Sequence, residues 1–365
     1  MTRKVKVLEV LPGLNYGGAQ TMIINLCKNI DYDKVQCDFI IDHGELLDMK
    51  DLVESFGSQV YVMPSFKGSN LKEVKQAWNH FFDDNQYDII HCHIRSYASI
   101  ILDIAKKHGL KTIIHSHNTS NGNGLSSMVK TILQYPLRNS ADYLFACSLE
   151  AGEWLFGDNA TKKDNFYIIN NGIDTDEFAY DENIRNEYRK MFDIDDERVF
   201  IQVGRMSAQK NYFFTLNAFS KYLNRNNNGR LFLVGDGELQ DEIKNRINEL
   251  KINDYVTILQ HRNDVNKLLQ MADVFLMPSM YEGLSVACIE AQCSGIVCLC
   301  SDKVDENVNI TGKCKFIELD EDVWVDYMSQ DIDNRTSYKK QIAEAGFDAR
   351  INSEWLENFY QSIIK

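Results

Sequence analysis

The sequence predicts an α/β fold of two Rossmann-like, doubly wound domains. Short apolar runs alternate with longer helix-like stretches along the whole chain, and this alternation breaks once and then restarts. Near-continuous apolar runs are typical of strands buried on both faces of a parallel sheet, and strand–helix alternation is typical of right-handed βαβ units. A length of 365 residues also fits two ordinary domains better than one.

Each half of the chain contains enough predicted strands for one parallel sheet. The runs are short, apolar and rich in β-branched residues, as strands are. The predicted strands of the first half are Val5–Leu11, Cys37–Ile41, Gln59–Met63, Tyr87–His91, Lys111–His115, Tyr143–Cys147 and Phe166–Ile169. Those of the second half are Val199–Val203, Leu231–Val234, Tyr255–Leu259, Val274–Met277, Ile296–Cys300 and Lys315–Leu319.

The break between the two halves is predicted around Asn170–Arg198, where a turn signal precedes a charged helical stretch. We therefore predict one domain over residues 1–170 and a second over residues 171–350. Residues 351–365 are predicted to form a separate amphipathic helix that docks on one of the domains. Its apolar face is expected to contain Trp355, Leu356, Phe359, Ile363 and Ile364.

The charge and the apolar pattern exclude some classes of function. A net charge of −14 argues against a nucleic-acid-binding protein, which needs a dense basic face. No signal peptide is predicted, and no run is long and apolar enough to span a bilayer. We therefore expect a cytoplasmic protein in which any contact with the inner face of the membrane is peripheral. Ser126–Arg138 is a candidate for such contact, and a helix packed on the core is the alternative.

The nine cysteines are interpreted as free thiols in a reducing compartment, because their number is odd and most lie in apolar runs. Cys298 and Cys300 share one face of a strand. Zinc would need two further ligands close by, and none stands near this pair in the sequence. Core thiols are therefore favoured over a metal site, and we predict no metal.

A glycine loop, Gly17-Gly18, follows the first strand and precedes a helix. Glycines let the backbone approach a ligand closely, and the first turn of a helix offers free N–H groups. The loop lacks the G-x-G-x-x-G spacing of dinucleotide sites. An ordinary strand-to-helix turn and contact with a phosphate or an acceptor remain equally open interpretations.

Two pairs of histidines stand at strand ends, His91 with His93 and His115 with His117. Alternation along a strand puts the members of each pair on one side of the sheet. We predict that His117 is a hydrogen-bonding residue in the reaction pocket. Structural histidines and a zinc site are the alternatives, and no carboxylate stands nearby in the sequence to complete a metal centre.

Two cations, Arg205 and Lys210, flank the turn that follows the first strand of the second half, after Gly204. Fixed cations stabilise a diphosphate leaving group more in the transition state than in the ground state. Solvated surface charges are the alternative. Gly235 follows the next strand and permits close approach of its backbone to a base or a phosphate.

The strongest signal is the stretch that follows the strand Val274–Met277. Ser285 is a predicted helix N-cap, so Glu282 falls in the loop and Glu290 inside the helix. The N–H groups of Gly283–Val286 then point out of the helix end toward a diphosphate. Glu290 has apolar neighbours and needs a partner, which a ribose diol provides.

Seven residues separate Glu282 from Glu290. This spacing resembles the E-x7-E motif of retaining family-4 glycosyltransferases with the GT-B fold, in particular those of bacterial exopolysaccharide and capsule synthesis. The resemblance extends in order over nearly the whole chain. The further matching stretches are Gly17-Gly18-Ala19-Gln20, His117, Asn171-Gly172-Ile173-Asp174, and Gly204-Arg205 with Lys210.

Such a resemblance implies transfer of a sugar from a nucleotide diphosphate sugar, by family habit a UDP-sugar, to a saccharide or lipid-linked saccharide, with retention. It implies an acceptor-side domain and a donor-binding domain that face each other across a cleft. It also implies that the helix of residues 351–365 crosses back to pack on the N-terminal domain. The nucleotide sugar is a substrate, and no cofactor is expected. The residues implied to act in the reaction are His117, Arg205, Lys210 and Glu282, and those implied to bind substrate are Gly17, Gly18, Asn171, Gly235, Gly283, Leu284, Ser285 and Glu290.

Several alternatives remain open at this point. A nucleotide-sugar epimerase shares the architecture, and an inactive relative would only bind a partner glycosyltransferase. A dehydrogenase is disfavoured because G-x-G-x-x-G is missing. Asp174-Thr175-Asp176 mimics the D-x-D metal motif of other sugar transferases, and we interpret it as a turn and helix start.

Overall fold

The computed structural model describes residues 3–15, 18–45, 47–117, 133–260, 262–331 and 335–364. The chain divides into two compact units, which are Met1–Gly172 with Ala349–Lys365, and Ile173–Asp348. Each unit contains one parallel sheet with a hydrophobic core on either face.

The sheet of the first unit has seven strands in the order β3-β2-β1-β4-β5-β6-β7. The order of addition reverses between β1 and β4, and open α/β sheets bind ligands beyond the carboxyl ends of strands at such a switch point. The strands are β1 (Val5–Leu11), β2 (Val35–Ile41), β3 (Val60–Val62), β4 (Ile89–Cys92), β5 (Lys111–Ser116), β6 (Tyr143–Ala146) and β7 (Phe166–Ile168).

The sheet of the second unit has six strands in the order β10-β9-β8-β11-β12-β13, with the corresponding switch point between β8 and β11. Its strands are β8 (Arg198–Val203), β9 (Gly229–Val234), β10 (Val256–Leu259), β11 (Val274–Met277), β12 (Val297–Ser301) and β13 (Cys314–Ile317). Each predicted strand is present, with small shifts at its ends. The predicted fold class of two Rossmann-like α/β domains is therefore confirmed.

Helices cover the faces of both sheets. Among the described residues, no helix is both long enough and apolar enough to cross a membrane. In chain order the α-helices of the described ranges are α1 (Gly18–Lys28), α2 (Lys50–Ser55), α3 (Leu71–Asp84), α4 (Ala98–Lys107), α5 (Leu137–Ser140), α6 (Leu149–Phe156), α7 (Thr175–Phe178), α8 (Glu182–Met191), α9 (Tyr212–Asn226), α10 (Gln240–Leu250), α11 (Val265–Met271), α12 (Val286–Cys293), α13 (Glu321–Met328), α14 (Lys339–Glu344) and α15 (Ala349–Ile364).

The C-terminal helix α15 packs on the first unit. Ser353 donates a hydrogen bond from Oγ to the carbonyl of Leu26 at 2.9 Å. The Glu357 carboxylate accepts from the backbone N–H of Asp31 at 2.9 Å and from Lys34 Nζ at 3.0 Å. The apolar face of α15 joins the core between α1 and the sheet, chiefly through Leu356, Phe359, Tyr360, Ile363 and Ile364.

Candidate active site

The alternation of side chains along the strands brings one carboxyl group and four imidazoles together beside the switch point of the first unit. Glu9 of β1 lies opposite His91 of β4 in the sheet register. His93 follows β4, His115 lies in β5, and His117 follows β5. Because β1, β4 and β5 are consecutive neighbours, these side chains come within contact distance of one another.

Glu9 is the centre of a buried hydrogen-bond network. Its Oε1 accepts from the hydroxyl of Tyr360 at 2.9 Å, and its Oε2 lies 2.8 Å from Nε2 of His93. Nδ1 of His93 lies 2.9 Å from Nε2 of His117. Glu9, His93 and Tyr360 are buried, and His117 is partly buried.

A second branch of the network begins at the same tyrosine. Nδ1 of His91 lies 2.6 Å from the hydroxyl of Tyr360, and Nε2 of His91 lies 3.2 Å from Nδ1 of His115. The His91 and His115 rings are stacked, with centroids 5.3 Å apart. Both imidazoles are fully enclosed by the core.

Burial controls the charge of these groups. It lowers the pKa of His91 and His93 to about 3 and holds the pKa of His115 and His117 well below the usual value, so the four imidazoles are neutral at pH 7. Burial raises the pKa of Glu9, while the neighbouring His91 and the hydrogen bond from Tyr360 lower it.

Sequence reasoning missed Glu9 and Tyr360. The available signal for Glu9 was an acid inside the apolar run Val5–Leu11, which needs a buried partner. Tyr360 gave no such signal, because a tyrosine on an amphipathic helix is ordinary. No carboxylate stands near the histidines in the sequence, but β1 brings Glu9 to 2.8 Å from His93 in the fold.

A cavity of about 530 Å³ opens at this end of the first sheet. Its lining is mixed, and its polar side chains can exchange hydrogen bonds with a hydroxylated ligand. Gly18, the exposed first residue of α1, has open space where a side chain would stand. Gly17 lies outside the described residues, as does most of Ser126–Arg138. Polar residues of the lining include Gln20, Asp42, His93, Arg95, Tyr97 and His117.

In the second unit the loops after β8 and β9 pack closely against each other. Gly235 has a φ of +132°, and a Cβ there would lie 2.2 Å from the carbonyl oxygen of Gly204. Only glycine fits this position. The backbone of Gly235 therefore lies close to the backbone of Gly204 within the protein itself. Contact of Gly235 with a ligand stays a prediction.

Lys210 and Glu282 come together, whereas Arg205 stands apart from them. Lys210 Nζ lies 2.5 Å from Oε2 of Glu282, and both side chains are largely buried. The same carboxylate also lies 3.3 Å from Oγ of Ser279. Arg205 instead pairs with Glu238 at 3.1 Å on the surface, where its side chain is 73% exposed. The guanidinium is thus free to reorient toward a ligand, while the ammonium is held.

Helix α12 begins as predicted, with Ser285 as N-cap residue, although the Ser285 hydroxyl makes no capping hydrogen bond. Glu290 lies inside the helix and is partly buried. Burial raises the pKa of Glu290 to about 8, and no hydrogen-bond partner of its carboxyl group is found in the described part of the chain. Leu284 packs on the core, and Gly283 is exposed, with open space where a side chain would stand.

Asn171 and the stretch after it occupy the passage from the first unit to the second. The Oδ1 atom of Asn171 is buried and has no hydrogen-bond partner among the described residues. Asp174 caps α7, because its carboxylate accepts from the backbone N–H groups of Asp176 and Glu177 at 3.1 and 3.2 Å. The interpretation of Asp174-Thr175-Asp176 as a turn and helix start is confirmed.

Three groups of described side chains have the donor types that hold a transition metal, and one of them consists of Glu9, Cys27 and Cys37. Sγ of Cys288 lies 3.6 Å from Sγ of Cys314 and 3.9 Å from Sγ of Cys300, and Cys298 belongs to the same buried cluster. No further ligand stands near the C-x-C pair in the sequence, but α12 and β13 supply Cys288 and Cys314 from distant positions. All nine cysteines are free thiols. The third group is His91, His93 and His115, whose ligand atoms lie within 4.8 Å of one another.

The chain matches two protein families in succession. Glycosyltransferase Family 4 matches residues 16–177, and Glycosyl transferases group 1 matches residues 184–345. The EpsF protein of Bacillus subtilis, assigned as a glycosyltransferase, is 31% identical over 368 residues, which cover 97% of this chain and 96% of that protein. The UDP-Gal:alpha-D-GlcNAc-diphosphoundecaprenol alpha-1,3-galactosyltransferase of Escherichia coli is 28% identical over 226 residues, 60% of this chain and 58% of that enzyme.

Solved structures show the same fold. HepE of Anabaena in complex with UDP aligns with a TM-score of 0.78 over 99% of this chain and 100% of that chain, at 17% identity. The same protein in complex with UDP-glucose aligns with a TM-score of 0.76 over 98% of this chain and 99% of that chain, at 18% identity. The chain is therefore a hexosyltransferase-type enzyme that belongs to the GT-B glycosyltransferases of group 1 and family 4.

Proposed function

We propose that this enzyme transfers a hexose from a UDP-sugar to a saccharide or a lipid-linked saccharide in exopolysaccharide or capsule synthesis, with retention of anomeric configuration. The observation that carries the donor assignment is the charged cluster after β8 and β11. Lys210 and Glu282 are paired there at 2.5 Å, and the Glu290 carboxyl group on the helix that follows has no partner within the described ranges of the chain. Both strand ends belong to the switch point of the second unit.

Arg205 and Lys210 are proposed to bind the donor diphosphate. Negative charge grows on the diphosphate as the sugar–oxygen bond breaks, so cations in contact with it stabilise the transition state more than the ground state. Glu282 holds the Lys210 ammonium in position before the donor arrives. Gly283, Leu284 and Ser285 offer their backbone at the start of α12, where N–H groups favour an anion.

Glu290 is proposed to bind the ribose of the donor. Two adjacent ribose hydroxyls can donate to a single carboxylate, and hydrogen bonds to a charged acceptor are stronger than those to a neutral one. Such a ligand would also satisfy a carboxyl group that lacks a partner among the described residues. Gly235 and Asn171 are proposed to contact the donor through backbone and side-chain groups.

The cavity of the first unit is proposed to bind the transferred sugar or the acceptor. His117 and Gly18 line it together with other polar groups, which suits a ligand rich in hydroxyls. A lipid-linked acceptor is supported by the name of the similar galactosyltransferase, which includes a diphosphoundecaprenol. A UDP-sugar donor is supported by HepE, which was solved with UDP-glucose.

Transfer is proposed to require neither a metal nor a cofactor, and the enzyme is proposed to work in the cytoplasm with at most peripheral contact with the membrane. No nucleic-acid partner is proposed. The acidic net charge supports that last point, and the nine free thiols support a reducing compartment.

A thermal-shift screen of UDP-, GDP-, ADP- and TDP-sugars tests the donor class. A ligand that binds the folded state raises the melting temperature by mass action. We expect a UDP-sugar to give the largest shift and Glu290→Ala to reduce it. A larger shift with another nucleotide would contradict the proposed donor. Conversion of the donor alone into an epimer, without an acceptor, would contradict transfer.

A further inference from the structure

When Glu9 is ionised, the hydrogen bonds around it are compatible with one assignment of the histidine protons, which follows from the carboxylate outward. The hydroxyl of Tyr360 has one proton and donates it to Oε1 of Glu9. The hydroxyl oxygen can then only accept from Nδ1–H of His91. A neutral His91 therefore has a bare Nε2, which accepts from Nδ1–H of His115.

The second branch has the opposite pattern. An ionised Glu9 is an acceptor only, so Nε2 of His93 must carry the proton that it shares with Oε2 at 2.8 Å. Nδ1 of His93 is then bare and accepts from Nε2–H of His117 at 2.9 Å. Nδ1 of His117 is consequently an acceptor.

We propose that Glu9 is a positioning residue that sets the tautomer of all four histidines and, through His93, holds His117 in the Nε2–H form. The link from this tautomer to the reaction depends on the proposed function, because His93 and His117 line the cavity assigned to a sugar. In this form Nδ1 of His117 can act only as a hydrogen-bond acceptor. The tautomer pattern itself does not depend on the proposed function.

Glu9 is the group that can determine which atom donates and which accepts in the hydrogen bonds of both branches. The four imidazoles are neutral, so each can reverse its donor and acceptor nitrogens. The tyrosine hydroxyl can reverse as well. If Glu9 were protonated on Oε2, it would donate to His93, and His93 and His117 would both carry their protons on Nδ1.

The test is the ¹⁵N NMR spectrum of the histidine side chains in the full-length wild-type protein, with no donor added. We expect His91 and His115 as Nδ1–H tautomers and His93 and His117 as Nε2–H tautomers, all of them neutral. A His117 that carries its proton on Nδ1, or that exchanges between both forms, would overturn the proposal. The measurement requires no variant to fold.

Two variants test the control by Glu9. In Glu9→Gln the amide nitrogen must donate to one of the two branches. We therefore expect the two histidines of that branch, either His93 and His117 or His91 and His115, to carry their protons on the opposite ring nitrogens. Unchanged tautomers in both pairs would overturn the proposal. Tyr360→Phe is the matched control, because it removes the anchor of one branch only. It should change the tautomer of His91 and leave the tautomer of His117 unchanged. A changed tautomer of His117 would contradict the independence of the two branches.

Activity is not the readout of these experiments, so the two proposals can fail separately. Binding of a UDP-sugar to the wild-type enzyme and to Glu9→Gln, followed by calorimetry, reports on the second unit. Retained donor binding with the predicted tautomers supports both proposals. Lost donor binding in the wild type with the predicted tautomers would overturn the proposed function alone. A thermal melt of each variant reports whether it is folded.

Discussion

Carboxyl groups in this enzyme differ in function because their surroundings differ. Glu282 has a cation at 2.5 Å, Glu9 has two neutral hydrogen-bond partners, and Glu290 has no partner among the described residues. An uncompensated buried acid favours its neutral form. Glu290 is therefore the group whose protonation a donor would change most.

Glu290 should make donor binding depend on pH. Its pKa of about 8 in the free enzyme means that the neutral acid predominates below pH 8. A ribose diol donates to the ionised carboxylate, so binding requires loss of a proton below this pH. We expect the affinity for a UDP-sugar to rise between pH 6 and pH 8 and to level off above pH 8, as measured by calorimetry.

Variants of Glu290 separate this effect from other titrations. Glu290→Gln should bind with an affinity that does not change over the same pH range. Glu290→Ala should weaken donor binding by about 1.5–3 kcal/mol at pH 8.5, where the wild-type carboxylate is charged. An affinity that falls above pH 8 would mean that the protonated acid is the binding form, which contradicts the ribose assignment.

The two cations should respond differently to removal. Arg205 is exposed and pairs with an exposed Glu238, so Arg205→Ala should change the free energy of unfolding by less than about 1 kcal/mol. It should lower kcat, because the diphosphate gains charge in the transition state. Lys210→Met should lower kcat as well and also destabilise the fold, because Glu282 loses its cation in a largely buried place.

Denaturant unfolding measures the change in the free energy of unfolding of the two variants, and steady-state kinetics measures the change in kcat. Glu238→Ala is the control for Arg205→Ala, since it breaks the same surface pair and leaves the guanidinium in place. Unchanged kcat in Arg205→Ala would contradict its assignment to the diphosphate.

The loops that follow the strands were only partly predictable. The positions of strands and of α12 follow from apolar runs and turn residues, which act locally. The closest side-chain contacts of the site do not follow from such local patterns. Lys210 meets Glu282 because β8 and β11 are neighbours, and Cys288 meets Cys314 because α12 packs on β12, which pairs with β13. Such neighbours depend on the strand order, which local sequence does not encode.

Two glycines in these loops differ in their surroundings. Gly235 packs against another loop of the protein, whereas Gly283 has open space beside it that a ligand could occupy. Gly235→Ala puts a Cβ 2.2 Å from the carbonyl oxygen of Gly204 at a φ of +132°. We expect it to destabilise the fold by about 1–3 kcal/mol, which is the range for strained backbone positions. Gly283→Ala is the matched control, because its Cβ meets no atom within 4 Å.

Denaturant unfolding of both variants gives the comparison. Gly283→Ala should keep wild-type stability and lose donor affinity if the backbone there approaches the diphosphate. Equal stability of Gly235→Ala and the wild type would contradict the packing of the two loops. A Gly283→Ala variant with wild-type stability and wild-type affinity would contradict a role of that residue in binding the donor.

On the scale of the whole molecule, the chain builds one unit from two distant segments. The backbone passes from Gly172 into the second unit and returns at Ala349, and a Cβ at Gly172 would lie 2.8 Å from the backbone nitrogen of Ala349. Helix α15 then supplies Tyr360 to the network around Glu9. The histidine network thus needs the last helix. The four charged residues of the proposed donor site, Arg205, Lys210, Glu282 and Glu290, instead all lie between Ile173 and Asp348, and of the proposed donor contacts only Asn171 belongs to the first unit.

This division predicts what each unit can do alone. The second unit has its own sheet and its own cores on both faces, so a fragment of residues 173–348 should fold cooperatively. Because Arg205, Lys210, Glu282 and Glu290 all belong to it, the fragment should bind the same UDP-sugar as the full chain, and Glu290→Ala in the fragment should weaken that binding. Transfer should be absent, because His117 and its cavity are missing. Circular dichroism and calorimetry check the two expectations, and a folded fragment without affinity for the donor would mean that the donor site needs groups from the first unit.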